Sequence, residues 1–151
     1  MRTKSRYLPA DPEAFARALH ARGLKVTPRR LAVHRAMIGF IHATPEQVWE
    51  KVKEENACRI TRGTVYTMLS ELAEKGIYAR RFGSAGKIVY DVNPFRHVHI
   101  YDSRNHQFVD VDEEALLQAV EEGLKRRRFK GYRIDDIDLQ IICHPTRKKL
   151  L

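Results

Sequence analysis

Residues 59–82, RITRGTVYTMLSELAEKGIYARRF, decide the fold of this chain. Val65, Leu69 and Leu72 recur at helical spacing, and Gly76 predicts the end of that helix because glycine readily adopts the left-handed closing conformation. The front of the predicted helix carries basic, hydroxyl or amphipathic side chains: Arg59, Arg62, Thr64, Tyr66 and Thr67. An apolar spine behind such a front favours a helix that reads the DNA major groove, although an ordinary surface helix shows the same pattern.

Two β-rich runs follow this helix, IYARRF at 77–82 and KIVYDV at 87–92, with the turn sequence GSAG at 83–86 between them. Two strands directly after a candidate recognition helix predict a wing. The wing carries three basic side chains that could reach DNA phosphates: Arg80, Arg81 and Lys87.

Three further helices are predicted upstream. Residues 11–22 read as a helix capped by Asp11. Thr27-Pro28 and Thr44-Pro45 are helix starts, the second with Gln47 placed to complete a capping box. Basic residues around the second helix's start are expected to position DNA phosphates: Lys25, Arg29 and Arg30. We therefore predict a winged helix-turn-helix domain over residues 1–92.

The charge of the chain is concentrated in this first part. Residues 1–90 hold 17 basic and 8 acidic residues, whereas residues 91–151 hold 11 of each. Lysine and arginine displace the counterions that condense on phosphates, so this asymmetry favours a nucleic-acid partner. A basic arm of Arg2, Lys4 and Arg6 could enter a minor groove, although a frayed tail is equally compatible.

The remainder, residues 93–151, predicts a β-β-α-β unit after an Asn93-Pro94 hinge. HVHIY and QFVDV alternate as strands, residues 112–128 read as a helix, and YRIDDIDLQIIC reads as a last strand. Fewer than 60 residues provide little core, so we expect a homodimer. The predicted fold class is α+β: an N-terminal winged helix-turn-helix followed by a small α/β dimerisation domain.

Histidines and carboxylates in and before this second unit suggest a metal site. His97 and His99 project to the same face of a strand, and a symmetric hairpin places Asp110 opposite His99. Asp91 before the hinge and His42 in the loop before the third helix offer further ligands. Spacing alone also fits a solvent-facing histidine pair.

Mixed nitrogen and oxygen donors suit Fe(II), Mn(II) or Zn(II). An ion shared by all five residues would fix one interdomain angle and so control DNA binding. Two histidines and a carboxylate also occur in non-haem iron oxygenases, but the sequence suggests no substrate pocket, so we do not expect an enzyme. A metal-independent architectural DNA-binding protein is a third interpretation of the sequence.

Taken together, these residues resemble the ferric uptake regulator (Fur) family from about residue 13 to 143. The resemblance lies in the following segments: GLKVTPRRLAVHRAM, HATPEQVWEKV, TRGTVYTMLSELAEKGI, GKIVYDV and HVHIYDSRNHQFVDV. It implies a dimeric, metal-dependent repressor of operator DNA. The residues matching the family's regulatory site are His42, Asp91, His97, His99 and Asp110.

Aspartate at both acidic positions resembles the peroxide-sensing (PerR-like) branch. That likeness implies Fe(II) or Mn(II) as the regulatory metal, with Zn(II) possible in vitro, and His42 and His97 as the histidines oxidised by peroxide. Iron-, zinc- or haem-responsive regulation remains the alternative within the family.

The chain also departs from the family pattern. Asp102 and Asn105 stand where many members place a C-x-x-C pair, and only Cys143 remains of the second pair, so no four-cysteine structural zinc site is expected. Thr67 follows TVY where iron-sensing members usually have arginine, which indicates a different DNA sequence. Cys58 and Cys143 receive no role, and their small number suits reduced thiols in the cytoplasm.

A membrane partner is not expected. No apolar run approaches the roughly 20 residues of a membrane-spanning helix. The basic N-terminus lacks the apolar stretch of a signal peptide, so a cytoplasmic location is expected.

Overall fold

The computed structural model of the chain describes residues 12–83 and 86–147. It divides between Phe95 and Arg96 into an N-terminal and a C-terminal compact unit, whereas the sequence placed a boundary after residue 92. Mixed helices and small sheets confirm the expected α+β class. Within the described residues, no helix has the length and apolar character needed to cross a bilayer. The basic arm, the Asp11 cap and the turn residues Ser84 and Ala85 lie outside the described residues.

The N-terminal unit combines four helices with a three-stranded sheet over its described residues. Thr27, Thr44 and Thr61 each cap a helix, accepting a hydrogen bond at 3.2 Å from the backbone N–H three residues on. The predicted capping box of Thr44 and Gln47 is confirmed. The elements are α1 (Pro12–Ala21), α2 (Pro28–Phe40), β1 (His42–Ala43), α3 (Pro45–Glu54), α4 (Arg62–Glu74), β2 (Ala79–Phe82) and β3 (Ile88–Asp91).

The sheet of this unit has the order β1-β3-β2, with antiparallel pairing throughout. The predicted wing is confirmed as β2 and β3, where Phe82 pairs with Ile88. The sequence placed His42 in a loop, which is wrong: His42 lies in β1, opposite Asp91 of β3. A two-residue strand is too short to show a period, and only pairing with a distant segment creates it.

A single apolar cluster holds the N-terminal unit together. Phe15, Val33, Val48 and Leu69 belong to α1, α2, α3 and α4 respectively, and each is fully buried in that cluster. Gly76 adopts φ +72° after α4, as its predicted role as a helix stop requires. Helix α4 is therefore supported by a core that the unit itself supplies.

The C-terminal unit confirms the predicted β-β-α-β order. It consists of β4 (Val98–Asp102), β5 (Gln107–Val111), α5 (Glu114–Lys125) and β6 (Leu139–Cys143). The sheet order is β5-β4-β6: β4 and β5 form an antiparallel hairpin, and β6 runs parallel to β4 on its other side.

The last strand is shorter than the sequence predicted. The prediction covered residues 132–143, but β6 begins at Leu139. Aspartates interrupt the earlier part, and aspartate disfavours strands because its carboxylate bonds to nearby backbone. The Asp136 carboxylate accepts a hydrogen bond from the neighbouring Ile137 N–H at 2.8 Å. It also accepts one from the Arg96 guanidinium at 2.8 Å.

Few apolar side chains are buried in the C-terminal unit. Within its described residues, the buried hydrophobic ones are Val98, Tyr101 and Leu117. Large apolar side chains stay exposed on it instead, including Ile142 at 74% and Tyr132 at 85%. The described part of this unit therefore leaves many of its large apolar side chains exposed.

Candidate DNA-binding surface and metal ligands

The N-terminal turn of α4 presents the polar front that the sequence predicted. Arg62 is the first residue of the helix and is exposed, and Tyr66 is 48% exposed one turn on. Thr64 and Thr67 use their hydroxyls locally: Thr64 shares a 2.8 Å hydrogen bond with Thr61, and Thr67 donates to the Gly63 carbonyl at 3.0 Å. Such side chains can meet base edges when the helix lies in a major groove.

The basic residues around the start of α2 have unequal freedom to meet DNA. Lys25 and Arg29 are exposed, and the Arg29 Nε donates a hydrogen bond to the Arg59 carbonyl at 3.0 Å. Arg30 is half-buried and donates at 2.9 Å to the carboxylate of Glu71 on α4. Lys25 and Arg29 are therefore more available to phosphates than Arg30, which holds α2 against α4.

The basic residues of the wing differ in the same way. Lys87 is exposed, whereas Arg80 donates to the Ser70 hydroxyl at 2.6 Å and lies over the Tyr90 ring. Arg81 is only 2% exposed, so the expectation that it could reach phosphates is corrected. Neighbouring strand residues point to opposite faces, which is why Arg80 and Arg81 cannot share one role.

Arg81 instead anchors the predicted metal ligand Asp91 inside the N-terminal unit. Its Nε donates to Asp91 Oδ2 at 3.2 Å, and its Nη2 donates to the carbonyls of Asn93 at 3.4 Å and Phe95 at 3.2 Å. The Asn93 N–H donates to Asp91 Oδ1 at 2.8 Å. The guanidinium therefore fixes the carboxylate and the chain that follows β3.

His42 is the second predicted ligand in this unit. Cross-strand pairing of β1 with β3 brings its Nε2 to 3.6 Å from Asp91 Oδ2. The sequence analysis predicted neither strand β1 nor the buried position of Arg81, because each depends on contacts between distant segments. The two adjacent arginines of β2 held a signal for the second, since alternation along a strand turns one of two neighbouring side chains inward.

The β4–β5 hairpin carries the other three predicted ligands. The register places His99 opposite Asp110, as the symmetric hairpin predicted. His97 Nε2 lies 3.1 Å and His99 Nε2 lies 3.0 Å from the same oxygen, Asp110 Oδ1. His99 is fully buried and contacts the Phe108 ring edge-on, which fixes its imidazole. Two imidazole nitrogens therefore converge on one carboxylate oxygen.

This donor set fits a divalent metal ion. Neutral imidazole and carboxylate are ligands that Fe(II), Mn(II) and Zn(II) accept. The ligand atoms offered by His97, His99 and Asp110 lie within 4.8 Å of one another, so a small movement of side chains would bring them to coordination distance. His42 and Asp91 offer one imidazole nitrogen and one carboxylate oxygen in the same way.

Asp102 and Asn105, which stand where the resemblance would place a C-x-x-C pair, form a hydrogen-bonded turn. Asp102 accepts from the backbone N–H groups of Arg104 at 2.9 Å and Asn105 at 3.1 Å, and from the Asn105 side chain at 2.8 Å. Ser103 donates twice to the Cys143 carbonyl, from its backbone N–H at 2.8 Å and its hydroxyl at 2.9 Å. Polar contacts therefore join the hairpin turn to β6.

A winged helix-turn-helix followed by an α/β unit with convergent histidines and an aspartate is the arrangement expected of a metal-responsive DNA-binding regulator. The model of the ferric uptake regulator family matches residues 21–142 of the chain. The chain therefore belongs to the ferric uptake regulator family, whose members are metal-responsive transcription regulators.

Solved structures support the same fold. The Vibrio cholerae ferric uptake regulator matches with a TM-score of 0.68 and 21% identity, covering 87% of this chain and 99% of its own. The Pseudomonas aeruginosa ferric uptake regulator with manganese matches with a TM-score of 0.66 and 19% identity, over 85% and 96%. The Campylobacter jejuni peroxide stress regulator matches with a TM-score of 0.63 and 20% identity, over 90% and 96%. No curated protein matches the chain.

Proposed function

We propose that this protein is a homodimeric, cytoplasmic repressor that binds operator DNA when it holds Fe(II) or Mn(II). The observation that carries the proposal is the convergence of His97 and His99 on Asp110 Oδ1, at 3.1 and 3.0 Å. The proposed ligand set adds one residue from each of two strands of the N-terminal unit, and is His42, Asp91, His97, His99 and Asp110.

The proposed operator surface combines the front of α4 with nearby basic side chains. The residues that support it are Lys25, Arg29, Arg30, Arg62, Thr64, Tyr66, Thr67, Arg80 and Lys87. Exposure favours Arg62, Tyr66 and Lys87 as direct contacts. The ion pair of Arg30 with Glu71 and the hydrogen bond of Arg80 to Ser70 favour supporting roles for those two arginines.

The proposed homodimer rests on the exposed apolar surface of the C-terminal unit. Ile142 on β6 is 74% exposed, and Phe129 is 52% exposed. Large apolar side chains left exposed on a unit with so little core of its own favour a partner that covers them. A second copy of the chain supplies a matching patch by symmetry.

The metal dependence can be tested with the His97→Ala/His99→Ala double variant. DNA binding of the full chain is measured by fluorescence anisotropy with and without Mn²⁺, on a duplex selected by the wild-type protein. An allosteric coupling of ordinary size predicts a roughly 5- to 150-fold gain in affinity with Mn²⁺ for the wild type, and none for the variant. Light scattering should show the variant still dimeric.

His20→Ala is the matched control, because His20 is an exposed helix histidine outside the proposed ligand set. It should keep the full response to Mn²⁺. A wild-type protein whose DNA affinity is unchanged by a chelator would refute metal control and leave a metal-independent DNA binder.

The proposed signal is hydrogen peroxide. Aspartate at both acidic positions, 91 and 110, supports this branch of the family. Bound Fe(II) supplies the one-electron chemistry that peroxide needs, whereas Zn(II) has none. His42 and His97 are the proposed targets: one oxygen of hydrogen peroxide would be added to the imidazole and the other would leave as water. An oxidised imidazole is a poorer metal ligand, so metal would be lost and with it the affinity for DNA.

Mass spectrometry of the Fe(II)-loaded protein after peroxide treatment tests this signal. Peptides that contain His42 or His97 should gain one oxygen atom as DNA binding is lost, and the Mn(II)-loaded protein should stay unmodified. Loss of DNA binding with both peptides unmodified would exclude this mechanism while leaving metal control intact.

A further inference from the structure

The first arginine of the recognition helix is held in place by two residues of α3. The Arg62 Nη2 lies 2.9 Å from Glu46 Oε1, and its guanidinium carbon lies 4.7 Å from the centre of the Trp49 ring. Trp49 is partly buried against the apolar cluster of the N-terminal unit. The guanidinium is therefore seated on an anchored aromatic face, while 56% of the Arg62 side chain remains exposed.

This seat reduces the freedom that an exposed arginine normally has. A long side chain loses rotamer entropy when it is fixed on a ligand, and a side chain already fixed loses less. Stacking on tryptophan and pairing with a carboxylate both orient the plane of the guanidinium. Fixed orientation favours contacts that depend on direction more than contacts that depend only on charge.

The carboxylate of Glu46 bears on what Arg62 can recognise. A negative charge 2.9 Å from the guanidinium offsets its attraction to a phosphate. It does not oppose a base edge: arginine donates two hydrogen bonds to O6 and N7 of guanine, and glutamate accepts from N4 of cytosine. The N-terminal residues of a recognition helix are the ones that meet base edges.

We propose that Arg62 reads a guanine in each half of the operator, and that Trp49 and Glu46 are positioning residues for it. This inference rests on the proposed function, because it requires that the protein binds operator DNA. It assigns a specificity role to a group of side chains that joins α3 to α4.

The test is selection of preferred duplexes from a randomised library by the full-length protein in Mn²⁺, comparing wild type with Arg62→Ala. The wild type should select guanine at one position in each half-site. Arg62→Ala should lose that preference while keeping the wild-type base preferences at the other positions. On the wild-type site, replacing this guanine should weaken wild-type binding by roughly 5- to 150-fold per half-site and weaken Arg62→Ala binding little.

Three variants separate positioning from folding. Trp49→Phe keeps an aromatic face and should keep most of the guanine preference, whereas Trp49→Leu should lose it. Glu46→Gln should widen the bases accepted at this position and steepen the salt dependence of binding. Lys53→Met is the matched control: Lys53 also lies over the Trp49 ring, at 4.8 Å, so its loss removes a similar contact without touching the guanine.

The outcomes distinguish this inference from the proposed function. A wild-type protein that selects no duplex would overturn both. Selection of the same sites by wild type and Arg62→Ala, with uniformly weaker binding and a salt slope reduced by about two, one for each half-site, would make Arg62 a phosphate contact and overturn the inference alone.

Discussion

The two units of this protein solve the problem of stability in different ways. The N-terminal unit buries a cluster drawn from all four of its described helices, whereas the C-terminal unit buries few apolar side chains among its described residues and exposes Ile142 and Tyr132. The N-terminal unit can therefore hold α4 in place without a partner subunit. The C-terminal unit is proposed to gain stability from a partner subunit and from a metal ion held by its convergent His97, His99 and Asp110. Regulation is therefore expected to act on the C-terminal unit.

The largest expected effect is in the core of the N-terminal unit. Leu69 of α4 is fully buried, so Leu69→Ala should lower the free energy of unfolding by about 2–5 kcal/mol, from lost apolar burial and the cavity left behind. Trp49 is the single tryptophan, so urea unfolding followed by its fluorescence reports on this unit. Tyr66→Ala on the exposed side of α4 should change little. Equal losses of unfolding free energy in Leu69→Ala and Tyr66→Ala would contradict a core supplied by the N-terminal unit itself.

The same core contains a buried histidine that should make it sensitive to acid. His34 stacks on Phe15 at 3.9 Å and shares a 2.7 Å hydrogen bond with the Tyr78 hydroxyl, and burial lowers the pKa of His34 from 6.5 to about 4. The unfolded chain therefore binds a proton that the folded chain does not between pH 6.5 and pH 4. Stability should fall by about 3 kcal/mol as the pH drops through this window.

His34→Phe should remove this contribution, so its unfolding free energy should fall less steeply with acid than that of the wild type. Urea unfolding at about pH 7 and about pH 4.5, on either side of most of this titration, measures the difference. Identical pH dependence in the two proteins would show that folding does not lower the pKa of His34.

A single charge on the exposed apolar surface should weaken self-association. Ile142→Asp should raise the dissociation constant of the dimer by roughly 10- to 100-fold, since burial of an isoleucine contributes about 1.5–3 kcal/mol. Ile88→Asp makes the same change on the wing and should leave the dimer intact. Analytical ultracentrifugation compares them, and a dimer that tolerates Ile142→Asp would place the partner surface elsewhere.

The smallest expected effect concerns the hairpin turn of the C-terminal unit. Asp102→Ala removes an acceptor used by Arg104 and Asn105, which should cost about 1 kcal/mol. Amide exchange of the hairpin, followed by NMR, should become about 5-fold faster. Asp102→Asn keeps an acceptor oxygen and should lie closer to the wild type. No change in either variant would mean that β4 and β5 alone hold the turn.

Local signals predicted most of the fold. Threonine caps at Thr27 and Thr44 and the glycine stop at Gly76 act on neighbouring backbone, so the sequence contains all the information they need. The strand β1 and the buried Arg81 were not predictable in this way, because both arise from pairing with β3. The pair of arginines in β2 held a clue, since alternation sends one of them inward.

The candidate metal site was predictable to the extent that it lies within one hairpin. The opposition of His99 and Asp110 follows from strand alternation and a symmetric turn, and the register agrees. The pairing of Asp91 with Arg81 does not follow from spacing. Nor does the seat of Arg62 on Trp49, since it depends on how α3 packs on α4.

Hydrogen exchange with and without Mn²⁺, followed by mass spectrometry on the full chain, tests the difference between the two units most directly. Mn²⁺ should slow exchange in the β4–β5 hairpin, residues 98–111, and leave the cores of α2 and α4 unchanged. The slowing should vanish in His97→Ala/His99→Ala. Unchanged exchange in the hairpin of the wild type, or equal slowing in the double variant, would contradict a metal-controlled C-terminal unit.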